Sequence, residues 1–159
     1  MKENLFELVR KGDIGVIDRL TSENINQRSD IIGSESTLLH EAIASGQDLI
    51  ALELIKRGID LNAQNKEKRT ALFYAATYQN RIVAQAIIKA GADINLTDRH
   101  GNNALWAALL SSRKDYDLFE YILSAGGDIN SKNIYGRSAA DMAKTKPTLL
   151  DIARKYSKE

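Results

Sequence analysis

The sequence predicts an all-α solenoid, a single row of about five stacked helix-turn-helix units. Three observations carry this. One phrase recurs: Thr37-Leu38-Leu39-His40-Glu41-Ala42, Thr70-Ala71-Leu72-Phe73-Tyr74-Ala75-Ala76 and Asn103-Ala104-Leu105-Trp106-Ala107-Ala108. Its spacing is fixed, with 33 residues from Thr37 to Thr70 and 33 from Thr70 to Asn103. A second phrase closes each copy: Gly58-Ile59-Asp60-Leu61-Asn62, Gly91-Ala92-Asp93-Ile94-Asn95 and Gly126-Gly127-Asp128-Ile129-Asn130. A constant period in this range marks a unit that cannot bury its apolar face alone and must stack on copies of itself.

The elements follow in order. Asn4 to Lys11 reads as a first helix with Leu5, Leu8 and Val9 on one face. Asp13 caps a second, in which Ile14, Ile17 and Leu20 form an apolar stripe. The join to the next unit is longer than the others: Asn26 to Thr37 spans 11 residues, against 8 for Asn62 to Thr70. The insertion falls around Asp30-Ile31-Ile32-Gly33, and its two isoleucines read either as a packed loop or as a contact point. Helices follow over residues 38–45 and 48–56, turning Leu39, Ala42, Ile43, Ile50, Leu54 and Ile55 inward. The next unit repeats this with Leu72, Ala75, Ala76, Val83, Ile87 and Ile88.

Gly58, Gly91 and Gly126 stand where a left-handed residue ends a helix, and the Asp and Asn after them suit tight turns. Gly91 to Gly126 is 35 residues, two more than Gly58 to Gly91, and the surplus lies in the polar stretch Ser111 to Asp117. That stretch predicts a longer surface loop before Leu118, Ile122 and Leu123 resume the core. The last unit holds a short helix near Ser138 to Lys144. Pro147, at a first helical turn where a missing N–H costs nothing, opens a final helix with Leu149, Ile152, Ala153 and Tyr156 inward.

These phrases resemble the ankyrin repeat family, whose pattern is roughly D-x-x-G-x-T-P-L-H-x-A-A, a second helix, and G-A-D-x-N. Thr37, Leu39, His40 and Ala42 match it, as do Thr70, Leu72, Ala75, Ala76, Gly91, Asp93 and Asn95. Asp98-Arg99-His100-Gly101 matches its turn, and Asn133-Ile134-Tyr135-Gly136-Arg137-Ser138-Ala139 begins a shortened last copy. The resemblance implies one domain over residues 1–159, with units at 1–28 (an N-terminal cap), 29–64, 65–97, 98–132 and 133–159 (a C-terminal cap). It also implies that the His40 ring bonds neighbouring turns and stiffens the stack.

Composition excludes several functions. The net charge is +1, so no overall field draws the chain to nucleic acid or a membrane. There is no cysteine, hence no disulfide, thiolate metal site or cysteine nucleophile. No long apolar run follows Met1-Lys2-Glu3-Asn4-Leu5, and no run is long enough to span a bilayer. A cytoplasmic protein is expected. Histidine occurs only at 40 and 100, and His40-Glu41 is not followed by the second histidine of a zinc-protease motif. No phosphate-binding glycine loop occurs, and the carboxylates Asp115 and Asp117 have no acid–base partner in view. No catalytic residue, cofactor or metal is expected.

The family mostly binds proteins, through turn tips called fingers and the exposed ends of the first helices. Carried onto this chain, that implies contacts from Lys66, Arg69, Arg99, His100, Tyr135 and Arg137, with Tyr74, Tyr78 and Trp106 as anchors. Phe73 and Trp106 replace the family's histidine and read first as core. The finger charges lean positive, which suits a partner with an acidic surface. The expected function is a non-enzymatic interaction module, monomeric by itself, that binds and masks another protein, because occlusion is the simplest action open to a small array. Two alternatives stand beside it: a bacterial toxin-neutralising (immunity) protein or effector-targeting module, and a structural homo-oligomer.

Overall fold

The computed structural model describes residues 4–30, 33–113 and 115–156. They form five helical pairs: α1 (Leu5–Lys11) with a 3₁₀ helix (Ile14–Arg19), α2 (Leu38–Ala44) with α3 (Asp48–Lys56), α4 (Ala71–Thr77) with α5 (Arg81–Lys89), α6 (Ala104–Ser111) with α7 (Asp117–Ser124), and α8 (Ala139–Ala143) with α9 (Pro147–Tyr156). Among the described residues there is no strand, only an isolated bridge between Arg28 and Thr37. The first helices pack side by side in the order α1, α2, α4, α6, α8. The second helices lie behind them, with the 3₁₀ helix against α3, α3 against α5, and α7 against α9. One continuous core runs along the row, from Phe6 to Ala153.

Local sequence explains the starts of α2, α4, α6 and α8. Thr37, Thr70, Asn103 and Ser138 are N-caps in extended backbone, each accepting from the N–H three residues on. Small residues then let the row close up. Ala71, Ala75 and Ala76 of α4 and Ala104, Ala107 and Ala108 of α6 are all buried, so their backbones approach closely. Burying a full aliphatic side chain contributes about 1.5–3 kcal/mol. Leu39, Leu54, Leu72, Ile87, Leu105 and Ile122 are the fully buried ones that recur from unit to unit.

The repeated Asp-x-Asn turn is the second source of order. The carboxylates of Asp60, Asp93 and Asp128 accept from the backbone N–H of Asn62, Asn95 and Asn130 at 2.9–3.0 Å. The amide oxygens of Asn26, Asn62 and Asn95 reach onward and accept from the N–H of Asp60, Asp93 and Asp128, each at 2.8 Å. Aspartate therefore closes its own turn and asparagine fastens it to the next unit. Gly58, Gly91 and Gly126 adopt positive φ, as the turn demands.

Three sequence expectations need correction. The first unit's second helix is a 3₁₀ helix, and its inward residue is Val16, fully buried, while Ile14 is 58% exposed. Residues three apart do align in a 3₁₀ helix, but this column slants from solvent at Ile14 through half-buried Ile17 to the core at Leu20. Asp13 does cap it, accepting from the N–H of Gly15. In the fourth unit the helices absorb part of the surplus: α6 extends through Ser111 and α7 begins at Asp117, shortening the loop. Ile55, Ile88, Ile152 and Tyr156 pack on the core while remaining half-exposed. The pair Ile31-Ile32 lies outside the described residues.

Candidate functional site

The fingers are built by one residue each. The side-chain oxygen of Asn65 accepts from the N–H of Glu67 and of Arg69, Asp98 does the same for His100 and Asn102, and Asn133 for Tyr135 and Arg137. Each polar side chain thus stands in for a backbone partner and holds the tip closed. The fingers are also tied to one another. The N–H of Lys66 donates to Ser34 O, that of Arg99 to Glu67 O, and that of Ile134 to His100 O, at 2.9–3.1 Å. Gly101, at φ 78°, sits where a Cβ would lie 3.1 Å from the Cα of Asn133, so neighbouring tips are in backbone contact.

This geometry redistributes the finger charges. Arg99 Nε lies 2.8 Å from a Glu67 carboxylate oxygen and also donates to His100 Nε2 at 3.2 Å. Arg69 Nε stands 4.0 Å from Asp98, whose oxygens are already occupied by the turn. Lys66, Lys132 and Arg137 are exposed and make no ion pair among the described residues. Tyr135 and its neighbour Ile134 project from the fifth finger, well into solvent.

A second cluster forms along α4. The Arg69 guanidinium lies over the Phe73 ring, 5.2 Å from its centroid. Tyr74 meets the edge of His40 at 5.0 Å, and its hydroxyl accepts from the Asn65 side chain. The Tyr78 ring follows at 6.2 Å from Tyr74. Arg69, Phe73, Tyr74, Thr77 and Tyr78 together line one groove. Tyr78 opens onto two further hollows, one with Leu110, Arg113 and Asp115, the other with Ala44 and Ile82. Tyr78 is 56% and Leu110 61% exposed, so a sizeable apolar surface faces water at this junction.

The structure therefore brings Arg69, Tyr74 and Tyr78 together and leaves Tyr135 and Arg137 on a separate finger. Phe73 is buried in the core and Trp106 is half-buried against it. Sequence reasoning missed Leu110. Its counterparts one and two periods earlier are Thr77 and Ala44, and that departure was the available signal, hidden because Leu110 closes the apolar run Ala107-Ala108-Leu109-Leu110.

His40 is the strongest electrostatic anomaly, and it is structural. Its Nδ1 accepts from the backbone N–H of Thr37 at 3.2 Å, and its Nε2 lies 2.9 Å from Arg69 O. Burial pushes the imidazole down to about 4, so the ring is neutral and both nitrogens are occupied. Among the described residues, no group of three His, Cys, Asp or Glu side chains gathers to hold a metal ion, and no helix is long and apolar enough to cross a membrane.

Stacked helical pairs, hydrogen-bonded turns and a groove beside the first helices define a repeat solenoid of the binding type. A family model for ankyrin repeats in three copies matches residues 5–98 and again 39–133, and the chain belongs to the ankyrin repeat family. Ankyrin repeat proteins are generally protein–protein interaction modules and typically non-enzymatic. No curated protein matches the chain.

Proposed function

We propose that this chain binds and masks one protein partner on the surface made by α4, the end of α6 and the finger tips, without catalysis. The carrying observation is that Tyr78 and Leu110 are exposed and break the period, where Ser45 and Ser111, or Ala44 and Thr77, hold the equivalent positions. The fold asks for no large apolar side chain there, since its other units do without one. Apolar residues that the fold does not need, set beside aromatic rings and a cation, are the raw material of a binding hot spot. The fingers supply a polar rim, in which Lys66, Arg99 and Arg137 contribute charge, His100 a polar edge and Tyr135 contact area.

Affinity capture with the wild-type chain and with a Tyr78→Ala, Leu110→Ser double variant tests this. The expected result is a partner held by the first and lost from the second, with unchanged thermal melting of the chain. Equal capture by both contradicts the reading. Light scattering separates the binding module from a homo-oligomer, which would be more than one chain in mass without any partner.

A further inference from the structure

Arg69 has more hydrogen-bonding capacity than the protein uses. Its backbone is pinned on both sides, the N–H donating to Asn65 and the carbonyl accepting from His40. Its guanidinium carbon lies over the Phe73 ring, 5.2 Å from the centroid. Its buried Nε has no hydrogen-bond partner, and the side chain, 40% exposed, makes no hydrogen bond through its Nη atoms among the described residues. A donor left unused on a partly buried side chain calls for a reason. The other arginines packed between units are consumed: Arg10 by Glu41, Arg57 by Glu53 and the Ile17 carbonyl, Arg81 by Asp117, and Arg99 by Glu67.

A guanidinium braced against an aromatic ring, with Nη donors unused among the described residues, is pre-organised for a carboxylate. Arg69 lines the same groove as Tyr74 and Tyr78. From this geometry we infer that the groove reads a short acidic–apolar segment of its partner, with an Asp or Glu carboxylate on Arg69 and a large apolar side chain on Tyr78 and Leu110. The inference rests on the proposed binding surface and adds the partner's chemistry to it. The spacing follows from α4 and its caps. From the N-cap Thr70 to the C-cap Tyr78 eight positions rise about 12 Å at about 1.5 Å per residue. Arg69 lies one residue before that extended N-cap, which adds at most about 3 Å. An extended segment rises about 3.3 Å per residue, so the acidic and apolar positions stand about four residues apart.

Selection of a displayed library of short random peptides on the full chain tests this, followed by fluorescence anisotropy of the most enriched peptide. The expected peptides carry one Asp or Glu about four residues from Leu, Phe or Trp. Changing that acid to its amide weakens binding about ten- to a hundredfold, Arg69→Gln does the same, and the two together cost no more than either alone. The peptide change leaves the protein intact, so it decides the matter even if Arg69→Gln perturbs folding. If the amide peptide binds as well as the acid while Tyr78→Ala abolishes binding, the carboxylate assignment is wrong and the binding surface stands. If binding ignores Tyr78→Ala as well, both are wrong. A library that enriches nothing overturns recognition of a short segment.

Discussion

The Nε2 of His40 lies 2.9 Å from the main-chain oxygen of Arg69, which belongs to the following unit. The same ring takes the N–H of Thr37 on its other nitrogen, so one side chain closes a helix N-terminus and ties it to the next finger. That finger begins the groove, because Arg69 carries the bonded carbonyl and Tyr74 rests on the ring itself.

Stability should therefore depend on the protonation of His40. Burial lowers its pKa from 6.5 to about 4, so between these values the unfolded chain binds more protons than the folded one. The contribution is fully present above pH 6.5 and is lost as pH falls toward 4. Its upper size is about 3 kcal/mol, from about 1.4 kcal/mol per unit. Urea unfolding at a series of pH values should show a slope in this window that His40→Gln removes, since the carboxylate titrations are common to both chains.

The asparagine rungs should each be worth about 0.5–1.5 kcal/mol, the usual net value of a hydrogen bond. Asn62 and Asn95 fasten adjacent units through Asp93 and Asp128. Asn62→Ala and Asn95→Ala should each lower the urea midpoint without changing the slope of the transition. A changed slope would show that the row had lost its cooperativity instead.

The finger tips contain avoidable strain at Glu35 and Lys68. Glu35, Lys68, Gly101 and Gly136 occupy equivalent places, all at positive φ, and Lys68 is at 57°. Left-handed backbone costs a non-glycine residue roughly 1–2 kcal/mol. Part of that is returned as chain entropy, so Lys68→Gly should stabilise by about 0.5–1 kcal/mol, read as a rise in melting temperature. Gly101→Ala should do the reverse by a larger margin, because a Cβ there meets the Asn133 backbone.

Much of this was legible in the sequence because stacking forces the same residues to return at the same spacing. The helix pairs and the turn glycines at 58, 91 and 126 were readable from that return, and the role of His40 from the family resemblance. What failed was whatever depends on a neighbour. The three-residue stripe of Ile14, Ile17 and Leu20 was real, yet only packing decides which end of it is buried. The onward reach of Asn62 and Asn95 looked like ordinary turn chemistry. Arg99 read as a free cation, and its partner Glu67 sits 32 residues away on another finger. Leu110 gave no separate signal because it closes the apolar run that begins at Ala107.

Photo-cross-linking from position 78 tests the central claim most directly. A benzoylphenylalanine placed there in the native cell should yield one adduct, to a different protein. The same group at Leu49, an exposed apolar residue on α3 away from the groove, should not yield it. An adduct formed from position 49 and absent from position 78, or one joining two copies of this chain, would contradict the account.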